Sequence, residues 1–236
     1  MFSQTKLVNL SLFVPLLLAG ASGEVHKEIL KIDGRQHVYF VFVPSAAPSP
    51  SGAPLLMLLH GSGHDGMSLI GPWKELAAKE CIILVAPSSM VPAQWQAPLD
   101  GPEPLIAIGD TVRQKYSADP KRVYLFGHSA GAGFSLLLAL AKQDYFAAIA
   151  AHAGALDAKA EPLVSQVTRR TPIQMQVGTR DPLFPLVNVR HTRDVFVAAG
   201  FPFDLEEIPQ HDHNYYGISD QVNRAAWNFL KDKRLP

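Results

Sequence analysis

The sequence predicts an α/β protein, with one mostly parallel central sheet and helices on both of its faces. Two observations carry this reading. Beyond residue 54, short apolar runs alternate strictly with segments of helical periodicity, the pattern of strands buried on both faces and joined by crossover helices. Ahead of them, residues 25–44 form two strand-like segments separated by Asp33-Gly34, a tight-turn signal that marks an antiparallel hairpin.

In chain order, 36–43 alternates cleanly, with His37, Tyr39, Val41 and Val43 on one side. Residues 45–54 are rich in Pro, Ser and Ala and form a loop. A continuous apolar run at 55–59 is a buried strand, 73–79 a short helix, 82–85 a strand, and 105–116 a helix with one apolar face. Next come a strand at 122–126 and a helix of small and apolar residues at 132–142. Strands follow at 146–151 and 173–177, then a helix at 187–199 that Gly200 stops, a last strand at 203–208 and a closing helix at 219–230. The stretch 155–172 is too short for a large cap domain, so a site at that edge of the sheet should be open.

The chain has 236 residues, 47% hydrophobic and 18% charged, enough for a single domain at 24–236 with a sizeable core. Twenty-one basic and 21 acidic residues cancel, which removes the electrostatic case for nucleic acid or an acidic membrane surface as partner. Cys81 is the only cysteine, so neither an intramolecular disulfide nor a cysteine-based zinc site can form. It heads an apolar strand and is expected to pack as a small core residue. At the start of the chain, Lys6 precedes an apolar run at 7–18 and the small residues Ala19-Gly20-Ala21-Ser22-Gly23. That order reads as a signal peptide over 1–23, with an uncleaved anchor or a buried N-terminal helix as the competing reading, so the protein is expected to be exported, secreted or periplasmic. The run is too short for a membrane span, and no cysteine follows it to carry a lipid.

Gly127-His128-Ser129-Ala130-Gly131 is the motif with chemical content. It is a G-x-S-x-G pentapeptide placed between an apolar strand and a helix. A serine on such a sharp turn has its hydroxyl exposed above the sheet, and the flanking glycines let the backbone pass. Acyl transfer by serine also needs a base, an acid to orient the base, and donors for the oxyanion. In this fold order the acid comes next and the histidine last, each just past the carboxyl end of a strand. Asp181, in Gly178-Thr179-Arg180-Asp181-Pro182, directly follows the strand at 173–177 and is the expected acid, with Asp157 as the substitute.

The base lies in Pro209-Gln210-His211-Asp212-His213-Asn214, where His211 and His213 compete. Two imidazoles and one carboxylate on a loop make a poor metal centre, and no metal or organic cofactor is expected. Imidazole suits the work because its ordinary pKa, near 6.5, lets it accept and return a proton near neutrality. The oxyanion donors should be the Ala130 N–H and one from His60-Gly61-Ser62-Gly63, the loop after the first parallel strand, with Ser62 the first choice and Gly63 the second. His60 is expected to hold that loop by hydrogen bonds. His128, the variable position of the pentapeptide, and Trp95, in the Pro-rich loop 87–104, are the candidate substrate-binding residues. An aromatic plug of the long loop is the alternative for Trp95. His26, His37, His64 and His191 have no motif around them.

Asp119-Pro120-Lys121-Arg122-Val123-Tyr124 leading into Gly127-His128-Ser129-Ala130-Gly131 resembles the region before the nucleophile in polyhydroxybutyrate-depolymerase-like and feruloyl-esterase-like α/β-hydrolases. The segment Asp212-His213-Asn214-Tyr215-Tyr216 is similar to the histidine region of the esterase D group, where the histidine after the aspartate is the base. The resemblance therefore selects His213 over His211. It implies an α/β-hydrolase fold and a serine esterase acting on a small-molecule or carbohydrate ester, with Ser129, Asp181 and His213 as the triad. A peptidase or acyl-aminoacyl hydrolase on the same triad, or a silent binding protein that kept the fold, are the rival readings.

Overall fold

An eight-stranded sheet organises residues 22–45 and 51–236, the part of the chain that the computed structural model describes. Residues 1–21 of the expected signal peptide and 46–50 of the first loop lie outside the described residues. The chain enters as a hairpin of β1 (Gly23–Ile32) and β2 (Arg35–Pro44). Asp33 and Gly34 have φ of 48° and 78°, the two left-handed residues that a tight antiparallel hairpin turn requires.

Thereafter strands and helices alternate: β3 (Ala53–Leu59), α1 (Met67–Glu80), β4 (Ile83–Pro87), α2 (Glu103–Lys115), β5 (Ala118–His128), α3 (Ala130–Ala141) and β6 (Ala148–His152). A short α4 (Glu161–Val164) leads to β7 (Ile173–Gly178), α5 (Leu186–Ala198), β8 (Phe203–Ile208) and α6 (Ser219–Leu230). The strand order is β1-β2-β4-β3-β5-β6-β7-β8, and pairing is parallel from β4 through β8. Only a 3-10 turn at Ala158–Ala160 and the four-residue α4 fill the β6–β7 connection, so among the described residues no large cap covers the sheet edge.

The period-2 geometry of β3 divides the core. Leu55, Met57 and Leu59 join the layer formed with α2, α3 and α5, whereas Leu56 and Leu58 join the layer formed with α1 and α6. Both faces are therefore covered, which is why the strands read as unbroken apolar runs. Among the described residues no helix is long and apolar enough to cross a membrane.

Two elements start well ahead of where the sequence pattern placed them. Helix α1 starts at Met67 rather than at 73, because Asp65 Oδ1 accepts the Ser68 N–H and stabilises the free first turn ahead of Pro72. Leu69 and Ile70 are fully buried and tie that first turn to the core. Strand β5 runs from Ala118, not 122, and passes through Asp119-Pro120. The Asp119 carboxylate accepts from Lys121 N–H and the Arg122 guanidinium, holding an otherwise turn-prone pair against the sheet.

The winding reverses beside β3. The chain steps from β3 to β4 in one direction, then returns past β3 to lay β5 on its other side. Loops leaving the carboxyl ends of β3 and β5 thus diverge and open a crevice between them, where open parallel sheets place their sites.

Candidate active site

Ser129 sits at this crevice, immediately after β5, with φ 57° and ψ −117°. A non-glycine residue in that conformation costs about 1–3 kcal/mol, and the packing around it must hold it there. Its N–H donates to His152 O at 3.0 Å, while its carbonyl accepts from Ala132 and Gly133 to start α3. The turn is closed by the absence of a side chain at Gly131, where a Cβ would stand 2.1 Å from Leu59 O. Ser129 is left half-buried at the head of a largely buried helix.

The loops after β7 and β8 bring the other two predicted groups to it. Ser129 Oγ lies 2.9 Å from His213 Nε2, and His213 Nδ1 lies 2.7 Å from Asp181 Oδ2. The Asp181 side chain is fully buried, and its second oxygen accepts from the Leu183 and Phe184 N–H groups of its own loop. A carboxylate can only accept, so the proton of neutral His213 resides on Nδ1 and the Nε2 lone pair is left for the serine hydroxyl. Phe184 stacks on the imidazole, ring centroids 5.6 Å apart, and limits its rotation. His211 is not part of this chain; its ring packs against His152 at 5.5 Å. Asp157, the substitute acid, instead caps the 3-10 turn by accepting from Lys159 N–H.

The predicted oxyanion loop follows β3. His60 Nε2 accepts the Ser89 N–H at 3.0 Å, which places the ring proton on Nδ1, and Nδ1–H donates to Gly61 O at 2.8 Å. Burial pushes the His60 pKa below its ordinary value, so the ring stays neutral in this role. Gly61 O also accepts from His64 N–H. In a trans peptide the N–H is antiparallel to the C=O, so the Ser62 N–H points away from these partners. A Cβ on Gly61 would meet Ser129 Cβ at 3.3 Å, which shows how closely the loop lies on that serine. Gly63, the second choice of donor, has its N–H engaged by Pro92 O at 2.7 Å. Ala130, first residue of α3, carries one of the N–H groups that every helix start leaves without a partner in the helix.

Trp95 is a correction to the sequence reading. It does not wall the cleft; it is buried as the plug of the long loop, and its Nε1–H donates to His60 O at 2.8 Å. The indole lies against His60 at 4.8 Å and stacks on Phe134 of α3 at 5.7 Å. It therefore braces the back of the His60 loop.

His128 reaches the site from beneath. Its ring is almost wholly buried, 5.1 Å from that of His213, and its Nδ1 is 3.1 Å from Nδ1 of His152, its register partner on β6. Burial above all, then the neighbouring imidazoles, lowers His128 to about 3 and His152 to about 2, so both stay neutral in ordinary buffers. His128 forms the floor of a cleft of about 340 Å³ whose sides include His64, Pro182, His213, Asn214 and Tyr216. Motif reasoning gave no site role to His64, which has no motif around it, or to Tyr216, which only closes the quoted histidine segment. Their signal was position alone, His64 within the oxyanion loop and Tyr216 within the histidine loop. Among the described residues no cluster of three or more His, Cys, Asp or Glu side chains could hold a metal ion.

Fold and site together define an α/β-hydrolase fold with a hydrogen-bonded serine–histidine–aspartate array at the carboxyl edge of its sheet. The chain belongs to the dienelactone hydrolase family, whose profile matches residues 102–229, more than half of its length. It is 30% identical over 173 residues to NocK of Nocardia uniformis subsp. tsuyamanensis, a protein that carries an esterase name. That match takes in 65% of this chain but 48% of NocK, so the chain spans about half the length of this curated relative. Among solved structures it is similar to a thermostable esterase, with TM-score 0.70 and 20% identity over 89% of this chain and 63% of that one. It is also similar to a ferulic acid esterase, with TM-score 0.71 and 15% identity over 89% and 98% of the two chains. At such identities these two structures speak for the fold alone.

Proposed function

We propose that this protein is a serine hydrolase that cleaves carboxylic esters through an acyl-enzyme on Ser129. The observation that carries the reading is the chain of two short hydrogen bonds from Ser129 Oγ through His213 to the buried Asp181 carboxylate. His213 Nε2 takes the hydroxyl proton as Ser129 Oγ attacks the ester carbonyl, and Asp181 stabilises the imidazolium that forms. The N–H groups of Ser62 and Ala130 receive the tetrahedral oxyanion. His213 then gives its proton to the leaving alcohol, and in the second half it deprotonates the water that releases the acid. The family and the esterase name of its relative agree with this chemistry.

The test is covalent labelling of the purified protein with a fluorophosphonate probe, read by intact mass. One adduct, lost in Ser129→Ala together with turnover of aryl acetates, is the expected result. A folded protein that takes no label refutes the reading. Turnover of anilides at rates rivalling the matching esters would move the assignment to the peptidase class. The composition of 1–23 further supports export from the cytoplasm, checked by mass analysis of the secreted or periplasmic form for removal of that segment.

A further inference from the structure

The cleft beside Ser129 contains more aromatic surface than acyl transfer needs. His64 leaves the loop after β3, on one side of the nucleophile strand, and Pro182 leaves the loop after β7, on the other. The His64 and Tyr216 rings pack against each other at 5.4 Å, and Tyr216 is held in turn by Tyr215 at 5.2 Å and by His128 at 6.1 Å. These contacts make one continuous ring-faced wall, although Tyr216 itself is 39% exposed. Fixed rings that are left open to solvent offer a stacking surface at little cost in side-chain ordering. Among the described residues no lysine or arginine lines this cleft, whereas the Asp212 carboxylate does, so its lining does not favour a carboxylate or phosphate on the substrate.

Which half of an ester would occupy it follows from the base. When the tetrahedral intermediate collapses, the ester C–O bond breaks and the proton on His213 Nε2 moves to the leaving oxygen, which must lie within hydrogen-bond reach of that nitrogen. His213 and Asn214 line the same cleft as His64 and Tyr216, so the group carried by the leaving oxygen extends along the wall.

We propose that His64 and Tyr216 form a leaving-group subsite for a flat aromatic ring, so that the preferred substrates are esters of aryl-bearing alcohols. The proposal rests on the serine ester hydrolase reading above. Its test compares benzyl acetate with cyclohexylmethyl acetate, which share an acyl group and have alcohols of similar leaving ability, one ring flat and one puckered. The wild-type protein should favour the benzyl ester by about three- to tenfold in kcat/KM, the range an aromatic pair supplies beyond burial. Tyr216→Leu should bring the ratio close to one, and Tyr216→Phe should preserve it. Because the substitution is at an exposed ring, a thermal melt beside each assay verifies folding. Equal kcat/KM for the two esters in the wild-type protein, or a ratio unmoved in Tyr216→Leu, overturns the subsite while leaving the hydrolase intact. Failure to hydrolyse either ester, together with absence of fluorophosphonate labelling, would overturn the hydrolase reading and the subsite with it.

Discussion

Lowering the pH from 7 to 5 should weaken this protein through its buried histidines, well before its carboxylates titrate. His128 and His152 are held neutral in the folded state, with pKa values depressed to about 3 and about 2, mainly because burial disfavours their charged forms. In the unfolded chain each returns to about 6.5. Between those values the unfolded state binds more protons than the folded one, so stability rises with pH and is lost as pH falls below 6.5. Proton linkage over the interval from pH 7 to pH 5 gives about 2 kcal/mol for each ring and about 4 kcal/mol for the pair. That figure depends only on both folded values lying well below 5. Against a total stability of about 5–15 kcal/mol it is a large fraction. His37 and His60, also shifted down by burial, act in the same direction. The measurement is urea unfolding at pH 7, 6 and 5, and His128→Gln should recover about 2 kcal/mol of the pH-dependent loss. The glutamine amide can still meet His152 but cannot take up the proton. A wild-type stability that changes by less than about 1 kcal/mol over this interval would refute the reasoning.

Three further substitutions probe the site. Asp181→Asn keeps an acceptor for Leu183 and Phe184 N–H but turns an amide donor toward His213, favouring the wrong tautomer, and kcat for an aryl acetate should fall by about 10⁴ with the fold intact by circular dichroism. Trp95→Phe preserves most of the plug but leaves the His60 carbonyl without its indole donor, so kcat should fall by about two- to tenfold with little change in KM, as the donor loop loosens. Gly131→Ala forces a methyl to 2.1 Å from the Leu59 carbonyl, and the expected result is a loss of more than about 3 kcal/mol in urea unfolding, or failure to fold.

Much of the site could be read from chain order because its parts obey the logic of a parallel sheet. Ser129, Asp181 and the histidine loop each follow an apolar strand, and parallel strands bring their carboxyl ends to one edge. Periodicity located those strands, and the edge followed. The choice between His211 and His213 lay beyond periodicity, since both occupy one irregular loop; the family resemblance pointed to His213, and in the fold it is the His213 ring that meets Asp181. Trp95 was misassigned in part for a related reason. An indole in a Pro-rich loop has the same local sequence whether it faces substrate or core, and the carbonyl that decides the matter belongs to His60, 35 residues earlier. His64 and Tyr216 meet across loops more than 150 residues apart, so no local pattern pairs them. The start of α1 was hidden by Pro72, whose propensity argues against a helix that Asp65 and the burial of Leu69 and Ile70 nevertheless secure.

The brace behind the His60 loop bears on how such a shallow cleft can have a defined geometry. One face of that loop is tied to Ser89, and its peptide carbonyl to the indole of Trp95, while Asp100 gathers the Met90 and Gln96 amides and stiffens the segment that carries the indole. Among the described residues the β6–β7 connection adds no large cap over this edge of the sheet. The ordering of the donor loop is completed when the chain folds and is charged against conformational stability rather than against affinity. On the proposed reading, alignment of the ester would then be set by the folded loop itself and would not require tight association.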